Sequence, residues 1–203
     1  MKKNNHFIIL LLIAAGSFMG CEKNDTRGYP DPEDPAIAIF SNTGNNILSC
    51  YMDNKPWRTI DRTTPILSGG PLYEVLIHKK TGTAISDTLE FLWQGYFTPN
   101  TGNPGTLLLR FAVPTNFSYK NFSGFNAQRI VVNGSNGYFT TDINLANNSK
   151  GTGTIYFHTA QLDSVGPNSY AGKMSGLFEA NLPAFKITKG RFDHTLQPGQ
   201  INF

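Results

Sequence analysis

From about Ile37 to Phe203 the chain alternates apolar and polar residues with a period of two, and this pattern restricts the fold more than any other feature. On an extended strand, side chains two apart share a face. Tyr73, Val75 and Ile77 therefore form one stripe against Leu72, Glu74, Leu76 and His78. Leu89, Phe91 and Trp93 oppose Thr88, Glu90 and Gln94. Leu107, Leu109, Phe111 and Val113 oppose Leu108, Arg110 and Ala112. Met174, Gly176, Phe178, Ala180 and Leu182 oppose Lys173, Ser175, Glu179 and Asn181. Turn residues separate the stripes at short, regular intervals, and no segment of the domain carries a helical stripe. Such spacing predicts an all-β fold, an antiparallel β-sandwich of immunoglobulin-like or jelly-roll-like form, with a partly open barrel as the alternative.

The turns agree with the stripes. Asp53-Asn54 supplies two residues that tolerate positive φ, as a tight hairpin requires. Asn133 to Gly137 links Ile130-Val131-Val132 to Phe139, and Leu182-Pro183-Ala184 separates the last two strong strands. In the final strand Ile187 and Phe192 have opposite parity. Gly190 lies between them, so a glycine bulge would return Phe192 to the inner face.

Upstream of the domain the texture differs. Lys2 and Lys3 precede the apolar run Phe7 to Met19, and Gly20-Cys21 follows. A basic start, a short apolar centre and a small residue before the cut describe a secretory signal peptide. The run is too short for a spanning helix, which needs about 20 apolar residues. Phe18-Met19-Gly20-Cys21 resembles the lipobox of bacterial lipoproteins. That resemblance implies cleavage before Cys21 and acylation of its thiol and new amine. The expected organisation is a leader over residues 1–20, a lipidated and disordered tether over 21–36, and a single all-β domain over 37–203. The tether reading rests on Glu22 to Pro35, which is rich in proline and charge and has no apolar period to offset its ordering entropy. Its acidic stretch Asp31-Pro32-Glu33-Asp34 reads as solvated linker, because the prolines keep the carboxylates from converging on a cation.

Charge excludes one class of partner. The formal net charge is +3, and loss of Lys2 and Lys3 with the leader leaves a nearly neutral chain with no electrostatic footprint for nucleic acid. Lys79-Lys80 and the stretch from Lys186 to Arg191 are the densest basic spots and read as solvated strand ends. With Cys21 lipidated, Cys50 has no disulfide partner. It shares a strand face with Leu48 and Met52, so it reads as a small core hydrophobe.

No catalytic residue, metal or cofactor is expected. The chain lacks a Gly-x-Ser-x-Gly elbow, a His-Glu-x-x-His pair and a phosphate loop. His78, His158 and His194 lie far apart in strand-like contexts and read as partly exposed positions. Glu74, Glu90 and Glu179 are outward on their strands, as ordinary solvent-facing carboxylates are. A carboxylate pair for glycoside hydrolysis would need sheet pairing to bring two of them together.

Aromatic residues give a binding site to consider. Phe117 to Asn126 mixes rings with Ser, Lys and Asn and has no clean alternation. Exposed aromatics stack on sugar rings in β-sandwich sugar-binding modules. Tyr119, Phe122 and Phe125 are therefore the candidate binding residues, against the alternative of a loop packed over a sheet edge.

Two stretches carry a second resemblance. The hairpin from Ser49 to Trp57 is one. The other runs from Tyr170 through Gly176-Leu-Phe178 to Ile187-Thr-Lys-Gly-Arg-Phe192. With the lipobox, they resemble uncharacterised lipoproteins of Bacteroidetes-type bacteria, whose β-sandwich domain ends in such a hairpin. The resemblance implies an outer-membrane lipid anchor on the periplasmic or outer surface. It also implies O-glycosylation at Asp-Ser/Thr followed by an aliphatic residue, which here selects Thr88 and Ser164. The function expected is a non-enzymatic binding or structural module with polysaccharide or a surface protein as partner. A small carbohydrate-active enzyme or a pilus or adhesin assembly component is the alternative.

Overall fold

The computed structural model describes residues 31–59, 75–82, 86–98, 104–142 and 149–203. The strands are β1 (Ile47–Met52), β2 (Lys55–Thr59), β3 (Val75–Lys80), β4 (Ser86–Phe97) and β5 (Gly105–Pro114). After a short 3-10 helix (Tyr119–Phe125) come β6 (Gln128–Val132), β7 (Gly137–Thr141), β8 (Thr152–Gly166), β9 (Ser169–Asn181), β10 (Lys186–Leu196) and β11 (Ile201–Asn202). The fold is all-β, and its strands form one continuous sheet rather than two stacked ones. That sheet curls into a half-barrel, so the partly open barrel describes it better than the sandwich.

Long β4 organises the curl. One edge pairs with β5 along nearly its whole length, and β5 pairs with β7. The other edge is shared: β3 takes Thr88 to Trp93, and β2 takes Gly95 to Phe97. From β2 the order runs β1, β10, β9, β8, β6, all antiparallel. β11 adds to β3 in parallel. The two arms meet where Phe139 and Gly151 exchange backbone hydrogen bonds of 3.0 and 2.7 Å.

The period-two stripes face the concave side and fill it. Leu89, Phe91, Trp93, Leu107, Leu109, Phe139, Phe157 and Phe192 are buried. Rings from one arm touch rings from the other. Trp93 stacks on Phe178 at 6.3 Å, Phe139 on Phe178 at 6.3 Å, and Phe91 meets Phe157 at 5.7 Å. Each such pair contributes about 0.5–1.5 kcal/mol beyond the area it buries. Gly176 makes room for this packing, because a Cβ there would lie 2.1 Å from the Tyr156 carbonyl oxygen and 2.5 Å from the Phe192 ring.

Turn chemistry works as the residues demand. Asp53 and Asn54 both adopt positive φ between β1 and β2. The β9–β10 register shifts between Ile187 and Gly190, with Lys189 at φ 50°, and both Ile187 and Phe192 are buried as a result.

Residues 31–36 differ from the tether expected of them. They begin a strap over residues 31–46 that lies against the outer face of β1 and β10. A compact turn is closed by Asp34 N–H to Asp31 O (3.1 Å), Ile37 N–H to Asp34 O (3.1 Å) and Asp31 N–H to Ile37 O (2.9 Å). Asp31 pairs with Arg191 and Asp34 with Lys189. The expectation failed because it counted only apolar burial, whereas this segment is held by charge and hydrogen bonds. It also corrects the reading of the Lys186–Arg191 stretch, whose Lys189 and Arg191 are partners of the strap.

Candidate functional site

Tyr119 to Phe125 closes one mouth of the half-barrel. The backbone N–H and hydroxyl of Ser118 both donate to Asn121 Oδ1, at 2.9 and 3.0 Å, and these local bonds start the seven-residue 3-10 helix. Such Ser/Asn side-chain bonding is how short turns arise without hydrophobic periodicity, which is why no stripe announced the element. Asn126 Oδ1 accepts the N–H of Ala160 at 2.6 Å, beside the bulge in β8, and fastens the far end.

The three candidate aromatics part company here. Phe122 is fully buried against Phe91 and presents no face to a ligand, which corrects its place among the binding residues. Phe125 is half-buried and committed to other rings, stacking on Phe157 at 5.3 Å and Phe117 at 5.4 Å. A 3-10 turn sends residues three apart to the same side. Tyr119, Phe122 and Phe125 share one side in this way, Phe122 fully buried and the other two partly buried on either side of it, an arrangement the sequence hides because the period is neither two nor 3.6.

Tyr119 is partly buried at the rim, packed beside the core as Phe125 is, and the structure adds two residues the sequence reading missed. Tyr170, from the start of β9, lies 5.0 Å from Tyr119 with the rings tilted by 32°. Phe203 meets Tyr170 edge-on at 5.6 Å and Phe117 at 5.9 Å. The Lys120 ammonium sits 6.0 Å from the Tyr119 ring. Lys79 donates to the Phe117 carbonyl at 3.0 Å and is neutralised by Asp87 at 3.2 Å. The rim thus offers aromatic surface and phenol hydroxyls with little net charge. Tyr170 and Phe203 are 33 residues apart in sequence, so only the sheet brings them together.

The other candidates are placed as follows. Cys21 lies outside the described residues, as do Glu74 and Tyr73. Thr88 is half-buried in β4, opposite Lys80 and Ala112, and its neighbour Asp87 is held by Lys79 and the Gly82 N–H. Ser164 is exposed near the β8–β9 turn, and its hydroxyl donates to the Gly166 carbonyl at 3.2 Å. Cys50 is fully buried, and burial pushes its thiol pKa well above the ordinary range.

Two readings of polar residues need correction. His194 is wholly buried rather than partly exposed, because the bulge before Gly190 turns it inward with Phe192 and Leu196. Glu90 is outward but not solvent-facing. It lies in register with His78, Arg110 and Tyr138 on three neighbouring strands. Lys80 and Arg110 hold its carboxylate at 2.7 and 3.0 Å, and Arg110 donates to the Tyr138 hydroxyl at 3.0 Å. Long cationic side chains from adjacent strands cover it, an effect invisible to one-strand parity. Glu179 is exposed on β9. Among the described residues no three of His, Cys, Asp and Glu converge as metal ligands.

No protein-family model, no curated protein and no solved structure matches this chain.

Proposed function

We propose that this protein is a lipid-anchored cell-envelope module that binds glycans without transforming them, through the rim formed by Tyr119, Tyr170 and Phe203. The observation that carries the reading is the Tyr119–Tyr170 pair at the mouth of the half-barrel, partly buried against the core and partly open to solvent. The interior, where many barrels hold ligands, is occupied by packed aromatic side chains, which favours contact at the surface. Aromatic faces take the apolar face of a sugar ring, and phenol hydroxyls exchange hydrogen bonds with its hydroxyls. Stacking of a base on an aromatic side chain is worth about 1–3 kcal/mol and sets the scale for such a platform. The lipobox at Phe18–Cys21 supports the anchor, since a multiply acylated cysteine meets the two-signal requirement for stable membrane attachment.

Retention on a panel of immobilised polysaccharides tests the site. Tyr119→Ala and Tyr170→Ala should each weaken retention by about one to two decades in affinity with the melting temperature near that of the parent protein. Retention that survives both substitutions would remove the rim from the reading. Cys21→Ala tests the anchor: the protein should move to the soluble fraction or keep its leader. Detergent partition unchanged by the substitution would refute it.

A further inference from the structure

The outer face of the sheet is covered over β10 and β1 and open over β9, β8 and β6. The strap makes the cover. Arg191 donates to the Ala38 carbonyl at 3.0 Å, and Asp193 accepts the N–H groups of Gly44 (2.9 Å) and Asn45 (3.1 Å). The Ala38 N–H donates to the buried Ser49 hydroxyl at 2.9 Å. On the open part, strand parity decides what faces out. Phe157, Phe178 and Val132 are buried in the core, so Tyr156, Leu177, Glu179 and Val131 point away from it.

Pairing sets these residues on two neighbouring rungs. Arg129, Tyr156 and Leu177 are in register on one, and Val131, Thr154 and Glu179 on the other. Val131 is 54% exposed and Leu177 42%, two of the four large hydrophobics exposed among the described residues. Tyr156 lies beside Leu177 and diagonal to Val131, close enough to join them. Apolar residues scattered singly need no explanation, whereas a contiguous group rimmed by charge marks an interaction site.

The charges stand at opposite corners. Arg129 and Glu179 are exposed, and neither has an ion-pair partner among the described residues. Lys189, in the register shift of β10 that lies opposite Glu179, is engaged by Asp34 at 2.8 Å. Strands about 4.8 Å apart, rising about 3.4 Å per residue, put the Arg129 and Glu179 Cα atoms about 12 Å from each other. Val131 and Leu177 occupy the other diagonal. This pattern complements itself. A two-fold axis lying in the face, close to the Val131–Leu177 diagonal, brings Arg129 of each copy to Glu179 of the other. The same rotation sets Val131 and Leu177 near their own counterparts, with the two Tyr156 rings between them. Isologous contacts are built in this way.

We propose that the outer face of β6, β8 and β9 is the contact surface for a second copy of this chain. One cation and one carboxylate per copy cancel, so the patch has no net attraction for an anionic surface and fits its own charge pattern instead. Pairing is face to face rather than edge to edge. β6 ends the sheet order, but the Asn136 amide occupies the Val131 carbonyl at 2.7 Å and blunts that edge. Three strands give a contact smaller than the about 1,200–2,000 Å² of a stable complex, so the pair is transient and forms where copies are concentrated. The surface is separate from the aromatic rim: Tyr170 is seven residues from Leu177, about 23 Å along β9.

Cysteine cross-linking of the full chain, concentrated in mild detergent, tests this. Val131→Cys places a thiol near the axis, and Val165→Cys places one at an exposed position outside the patch. The native Cys50 thiol is buried. A short bis-maleimide should give an adduct of twice the chain mass from Val131→Cys and none from Val165→Cys. Arg129→Glu or Glu179→Arg, each added to Val131→Cys, sets like charges together at both corners and should weaken the pair by about tenfold. The two reversals combined exchange the charges and should restore it, with circular dichroism spectra unchanged throughout. A Val131→Cys chain that stays monomeric, or cross-links no better than Val165→Cys, overturns the proposal. So does a yield unmoved by the single reversals or not restored by the double one, and so does an adduct of any mass other than twice that of the chain.

Discussion

Trp93 and His194 are joined inside the half-barrel, where the indole N–H donates to the imidazole Nε2 across 3.2 Å and both residues are buried. The bond ties β4 to β10, which are separated by β2 and β1 in the sheet. An imidazole that accepts at Nε2 is neutral and carries its hydrogen on Nδ1. His194→Leu should therefore destabilise the fold by about 1–3 kcal/mol, the cost of leaving a buried donor without its acceptor. His194→Gln, which restores an acceptor, should lose less. Chemical denaturation of the two variants decides this, and equal losses would mean that the Trp93 bond adds nothing.

Phe178 contacts Trp93, Phe139 and Phe192 at the meeting of the two arms. Truncation to alanine should cost about 3–5 kcal/mol. Glu179→Ala, one residue on and exposed, should stay within about 0.5 kcal/mol of the parent. The same denaturation experiment reads both, and similar losses would contradict the phase of β9.

Strap docking should depend on pH in a definite sense. Hydrogen bonding to Arg191, then to the Glu33 N–H, lowers the Asp31 pKa below its ordinary 3.8. Lys189 first and Tyr51 second do the same for Asp34. A carboxylate whose folded pKa is depressed contributes stability above its unfolded pKa and loses it as pH falls through the folded value. Tyr51 is shifted the other way by its bond to Asp34, so its contribution is present below pH 10 and fades above it. Hydrogen-exchange protection of Ala38, Gly44 and Asn45 should hold near neutrality and fall below about pH 4. It should fall before that of the β9 amides. Simultaneous loss across the sheet would show that the strap does not open by itself.

Phe122 and Tyr119 share one turn yet should behave oppositely. Phe122→Ala, a buried-ring truncation of about 3–5 kcal/mol, should lower the melting temperature by roughly 6–20 °C in a domain of this size. Tyr119→Ala should lower it far less and weaken polysaccharide retention instead. Calorimetry on both proteins separates a mouth-closing core residue from a surface one.

Local rules in the sequence account for much of this molecule. The stripes at Leu89–Trp93, Leu107–Val113 and Met174–Leu182 mark the concave face, because side-chain alternation is a property of each strand by itself. The Asp53-Asn54 turn and the Gly190 bulge were legible for the same reason: φ preference and parity are local. Cys50 was legible as core from its two strand neighbours. Pairing order was not legible, since it depends on contacts between residues distant in sequence. The tertiary structure alone made one curled sheet of these strands, split the edge of β4 between β2 and β3, and joined the arms at Phe139 and Gly151. It also decided the fate of polar residues. Glu90 is covered and neutralised by Lys80 and Arg110 from neighbouring strands, His194 is drawn inside by a bulge, and Asp31 and Asp34 are captured by β10. At the rim, Tyr119 was visible as an aromatic without a phase. Its partners Tyr170 and Phe203 were not, because a surface site assembled from three chain segments exists only once long-range pairing has brought them together.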